Sequence, residues 1–127
     1  MAALATSASA SASYRSRPAD TNPAVLMANA RPALPIAERI AGGMGKIRVA
    51  RVIVCNTTGV PQTYRIMWDP LGATFNEATA QCWDRAILAN DTHILELGLE
   101  TQELTAVLQV RSSAANALTF TATVETV

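Results

Sequence analysis

From Leu118 to Glu125 the residues alternate without a break: Leu118, Phe120, Ala122 and Val124 would point one way, and Thr119, Thr121, Thr123 and Glu125 the other. Side chains with period two belong to a β-strand with one buried face, and a slip of one residue would turn the whole apolar set into water. The same pattern recurs upstream. Lys46–Asn56 is nearly continuous in β-branched residues (Ile47, Val49, Val52, Ile53, Val54), as suits a strand in the middle of a packed sheet. Gln62–Trp68 sets Tyr64, Ile66 and Trp68 against Thr63, Arg65 and Met67. Ala80–Leu88, His93–Leu99 and Leu104–Arg111 follow, the second with Leu95, Leu97 and Leu99 on one side and Glu96 and Glu100 outside.

Turn residues separate these segments. Asn56-Thr57-Thr58-Gly59, Asp69-Pro70-Leu71-Gly72, Ala89-Asn90-Asp91-Thr92 and Ser112–Asn116 each carry residues that close turns, with proline presetting φ and glycine free to turn left-handed. Residues 73–79 fit no pattern and read as a longer loop. Six short strands at roughly ten-residue spacing, with no amphipathic helix, predict an all-β chain: an antiparallel β-sandwich or jelly-roll-like domain over residues 46–127.

The first 45 residues read differently. Met1–Ser13 alternates alanine with serine and threonine, and offers little bulk to offset ordering entropy. Pro18, Pro23, Pro32 and Pro35 then interrupt the chain, so long helices are excluded; Ile36–Ile40 has room for a turn or two before Gly42 and Gly43. Tyr14, Val25, Leu26, Met27, Leu34, Ile36 and Ile40 are apolar and costly to leave in water. The expectation is an extended N-terminal arm, residues 1–45, with a reach on the order of 100 Å. Those seven side chains would lie on a neighbouring subunit.

Only 16% of the 127 residues are charged and 5% are aromatic, while 50% are hydrophobic. A typical soluble domain carries about 25% charged residues, so this surface is one that meets other protein surfaces. Ten basic and ten acidic residues give formal net charge +0 without a basic cluster. That argues against nucleic acid and anionic membrane as partners and favours self-association. No run approaches the roughly 20 apolar residues of a membrane span, and the N-terminus lacks a signal-peptide pattern, so a soluble, unexported chain is expected.

Little in the sequence points to catalysis, and the expectation is a protein that is no enzyme and needs neither cofactor nor metal. His93 is the one histidine, placed just after a turn, where it reads as a strand-end residue. Asp84, Asp91, Glu96, Glu100 and Glu103 include no pair singled out for acid–base work, and Gly42-Gly43-Met44-Gly45 lacks the flanking strand and helix of a phosphate loop. Cys55 and Cys82 match no metal or redox spacing; they are buried small hydrophobes or a single bridge between strands. Trp68 and Trp83 are core anchors or an exposed platform for carbohydrate. The threonine face of the last strand is either solvated or apposed to another subunit.

Three stretches together resemble a known group: Ile53-Val54-Cys55-Asn56-Thr57-Thr58-Gly59, Cys82-Trp83-Asp84 running through Ile87-Leu88-Ala89-Asn90-Asp91-Thr92, and Val110-Arg111-Ser112-Ser113 with Ala115-Asn116-Ala117-Leu118-Thr119-Phe120. They are similar to the small β-sandwich virion proteins of tailed bacteriophages, of the capsid decoration (cement) type. The resemblance covers residues 46–127 and rests on turns and core positions, so it brings no catalytic residues. It implies a homo-oligomer, a trimer, on the outer capsid surface, made in the host cytoplasm, with the arm clasping neighbouring subunits and the major capsid protein. A neck, tail or head-fibre protein whose sandwich contacts a receptor or glycan is the alternative.

Overall fold

The computed structural model describes residues 11–28, 47–103 and 105–126. Among the described residues eight strands run in chain order: β1 Ser11–Ser16, β2 Ala24–Ala28, β3 Ile47–Asn56, β4 Gln62–Asp69, β5 Ala80–Ile87, β6 Thr92–Thr101, β7 Val107–Ser112 and β8 Leu118–Thr126. The six expected strands are all present, with ends shifted by at most three residues. In the loop before β5, Glu77–Thr79 forms a 3-10 turn capped by Asn76, whose side chain accepts from the Ala78 N–H.

The pairing is nested. β1 pairs with β8, β2 with β7, β3 with β6 and β4 with β5, all antiparallel. Two further pairings, β3–β8 and β4–β7, roll this long hairpin into two sheets ordered β1-β8-β3-β6 and β2-β7-β4-β5. Such a double-sheet arrangement is the jelly roll.

Between the sheets lies one core. Phe120, Ala122, Val124 and Leu118 of β8 are fully buried, as the alternation predicts, facing Tyr64, Ile66, Leu108 and Val110 of the other sheet. The β-branched run of β3 is resolved by a bulge. Register slips between Val49 and Arg51, so Ile47 and Val49 point inward before it, and Val52 and Val54 after it. An extra residue in one strand resets the parity, which lets a near-continuous apolar run supply a single face. Gly72, at φ +68, closes the turn after β4 where a Cβ would stand 2.3 Å from the Thr105 carbonyl oxygen, so glycine is the residue that fits.

The expected boundary between arm and domain is corrected. Residues 11–16 and 24–28 of the supposed arm are strands of the sandwich, one in each sheet. Tyr14 lies opposite Ala122 and is 9% exposed. Leu26 and Met27 are both buried, because a bulge between Val25 and Met27 turns two consecutive side chains inward. Three residues expected on a partner therefore complete this chain's own core. The connection between β1 and β2 is tied down as well: the Asn116 N–H donates to the Pro18 carbonyl at 2.8 Å, and Arg111 Nε to the Thr21 carbonyl at 2.8 Å. Val25 alone of the described four is exposed, at 39%. Leu34, Ile36 and Ile40 lie outside the described residues, as does the expected turn over 36–40.

Candidate interaction surfaces

With the apolar faces spent on the core, chemistry is left to the outer faces of the sheets and to the loop ends. On the β1-β8-β3-β6 sheet the registers set outward residues in rows. One row runs Arg15, Thr121, Ile53, Ile94; the next runs Thr119, Cys55, Thr92, with Arg17 donating to Thr119 Oγ1 at 3.0 Å. Toward the other end the rows become charged. Arg48 is bonded to Glu125 (Nε to Oε1, 2.8 Å) and approaches Glu100 at 3.5 Å, and Arg51 meets Glu96 at 3.2 Å. These pairs are exposed and contribute little each. This face is thus divided into a salt-bridged end and an end of threonine and isoleucine without formal charge beyond its arginine margin. The threonine side of β8 is half-buried by its neighbours, and Ile94 is 60% exposed.

On the outer face of the second sheet, Arg65 of β4 and Arg111 of β7 are directly opposite in register, an arrangement of like charges that needs a counter-ion. Asp84 of β5 supplies it. Its carboxylate accepts from Arg65 Nε at 2.7 Å and from the same guanidinium's second nitrogen at 2.9 Å, and stands 3.8 Å from Arg111. The hydrogen bond from Arg65 holds the Asp84 carboxyl below the usual carboxylate range. Asp84 reaches this position through a left-handed backbone, φ 50, where the β4–β5 register is irregular. Arg65 also covers the Trp83 ring, 3.8 Å from its centroid. Trp83 is 36% exposed, but a cation already occupies one ring face, and the cluster satisfies itself. Trp68, by contrast, is a core residue.

At the loop end, buried Asn56 donates from Nδ2 to the carbonyls of Val60 (2.9 Å) and Leu88 (3.1 Å), while its Oδ1 accepts from the Thr58 N–H and hydroxyl. Val60 and Leu88, whose carbonyls it ties, are both exposed. His93, expected as a strand-end residue, is the second residue of β6 and points inward. Its Nδ1 shares a 2.8 Å hydrogen bond with the Tyr64 hydroxyl across the two sheets, and its Nε2 lies 3.7 Å from Asp91. Burial pushes the Tyr64 phenol up to about 12. It therefore stays protonated at neutral pH, and the Tyr64–His93 contact bridges the sheets.

None of these clusters is legible in the sequence as a cluster. Arg65, Asp84 and Arg111 are distant in sequence and meet only through the β5–β4–β7 order; the polar face of Gln62–Trp68 was the one signal available. Cys55 and Cys82 are free and sit in different sheets, so the bridge left open is not formed. Among the described residues no three His, Cys, Asp or Glu side chains gather as metal ligands, and no helix is long and apolar enough to cross a membrane.

Asp69, at the end of β4, gives a pH-dependent element. Its carboxylate accepts from the backbone N–H groups of Thr74 (2.6 Å), Leu71 (3.0 Å) and Ala73 (2.9 Å), which hold its pKa below the ordinary value. A carboxyl with a depressed folded pKa stabilises the fold above its unfolded value, about 3.9, and that contribution is lost as pH falls through the folded pKa. Urea midpoints are expected to fall steadily as pH drops below about 4. Asp69→Asn should lower the midpoint at neutral pH and flatten this acid limb. An acid limb unchanged in the variant would show that Asp69 does not carry it.

No family model and no curated protein matches the chain. Among solved structures, a chain in the structure of infectious bursal disease virus Gx strain is similar over 93% of this chain and 31% of that chain, at 10% identity and a TM-score of 0.43. This chain spans under a third of that one.

Proposed function

We propose that this chain is a non-enzymatic structural protein of a virus particle, of the capsid decoration kind. It self-associates on the outer surface of the assembled head and contacts the major capsid protein, with no nucleic acid or membrane as partner. The observation that carries this reading is the outer face of the β1-β8-β3-β6 sheet, where Thr119, Thr121, Ile53 and Ile94 form a low-charge surface suited to another protein. The turn segments that resemble tailed-phage virion proteins support it. So do the described ion pairs, in which Arg65 and Arg111 meet Asp84 and Arg51 meets Glu96 within the chain. In this reading the clasping side chains are Val25, Leu34, Ile36 and Ile40, because Tyr14, Leu26 and Met27 serve the chain's own core while Val25 is exposed.

The partial exposure of Trp83 favours a second reading, a neck, tail or head-fibre component whose sandwich touches a glycan. Arg65 over the ring weighs against it, since a sugar stacking on that face would have to displace the guanidinium. Imaging of purified virions separates the two. Density for this chain over the whole capsid is expected; density confined to the tail or one vertex would overturn decoration and leave the second reading.

A further inference from the structure

Among the described residues four strands end the two sheets, and natural proteins blunt such edges with shortness, irregularity or charge. β1 and β2 are six and five residues long, and β2 carries a bulge. β5 is broken by register slips and by Asp84. β6 is different. At ten residues it is the longest of the four edges, and among the described residues no strand adjoins its outer side. Its C-terminal half is blunted by the slip that leaves Gly98 at φ 62. Its N-terminal half, Thr92 to Glu96, is regular, paired residue for residue with Cys55 to Arg51, and presents Ile94 outward beside Ile53.

The unpaired N–H and C=O groups of an open edge recognise one chemistry, another extended strand. We propose that the first half of β6 pairs antiparallel with the same segment of a second copy, Ile94 opposite Ile94, joining two four-stranded sheets into one. This deepens the self-association in the proposed function and rests on it. Charge and side-chain parity select the register. Outward residues pair with outward residues, so a two-fold axis within the regular stretch centres on His93, Ile94 or Leu95. Centring on Leu95 sets Ile94 against the partner's Glu96, an apolar side chain against a charge, at both sites. Centring on His93 abuts two imidazoles and leaves fewer residues in the ladder. Centring on Ile94 buries the two isoleucines together and sets Thr92 against Glu96, whose charge Arg51 already balances at 3.2 Å. The row Thr121, Ile53, Ile94 then continues unbroken across the axis.

Sedimentation equilibrium of the full chain tests this. The native protein is expected to associate reversibly. Ile94→Lys, which sets two ammonium groups face to face, should weaken association roughly tenfold or more while leaving the circular dichroism unchanged. As a second measurement, Ile94→Cys with Cys55→Ser should give a disulfide-linked dimer on mild oxidation, and Thr119→Cys with Cys55→Ser should not. Association insensitive to Ile94→Lys, with no crosslink through position 94, overturns the β6 contact but leaves self-association standing. A native chain monomeric at all concentrations overturns both, while virion imaging still decides the structural role.

Discussion

Deletion of residues 1–45 is expected to abolish the cooperative thermal transition and the β-type circular dichroism. The deletion removes β1 and β2, one strand from each sheet, and with them Tyr14, Leu26 and Met27 from the core. Burial of each such side chain is worth about 1.5–3 kcal/mol, so the three together contribute on the order of 5–9 kcal/mol. A domain of this size has only about 5–15 kcal/mol of net stability. Removing β1 and β2 also bares the edges of β8 and β7, whose unpaired backbone groups invite aggregation. A truncated chain that melts cooperatively with its β signal intact would show that six strands suffice. The expectation of an independent arm predicted that outcome, and the nested pairing predicts the opposite.

Phe120→Ala is expected to cost about 3–5 kcal/mol, as for other fully buried aromatic residues cut to alanine, against a net stability of about 5–15 kcal/mol. Phe120 is wholly buried in β8, opposite Val54 of β3 and Ser16 of β1. Its ring meets Tyr64 edge-on, with centroids 6.1 Å apart and planes at 77°, and Tyr64 in turn meets His93 at 5.8 Å. The cavity would therefore loosen the inter-sheet Tyr64–His93 hydrogen bond as well as lose transfer energy. Urea unfolding measures the effect through its midpoint and slope. A loss under about 1 kcal/mol would mean that the surrounding side chains collapse into the space.

The acid sensitivity expected from Asp69 tests the turn chemistry directly. There the sequence signal was sound: Asp69-Pro70-Leu71-Gly72 reads as a turn, and the structure adds that its aspartate organises three backbone donors.

The six strands from residue 47 onward, and the inward set of most of them, are legible in the amino-acid sequence. Leu118, Phe120, Ala122 and Val124 are buried as their alternation requires, because each strand with one apolar face announces that face locally. The turns were legible for the same reason, since the constraint acts within four residues. The remainder depends on pairing between segments far apart in the chain. β1 is a hexapeptide with three serines, and its partner in the ladder lies about a hundred residues later, so no local pattern marks it as a strand. The bulges in β2 and β3 reset side-chain parity through their neighbours' registers, which put Met27 in the core and split the β3 run. The Arg65–Asp84–Arg111 cluster and the open edge of β6 follow from strand order, and strand order is a property of how the whole hairpin rolls up. Ile94 was one apolar residue on a polar side; the position of its strand at the sheet's edge makes it a surface.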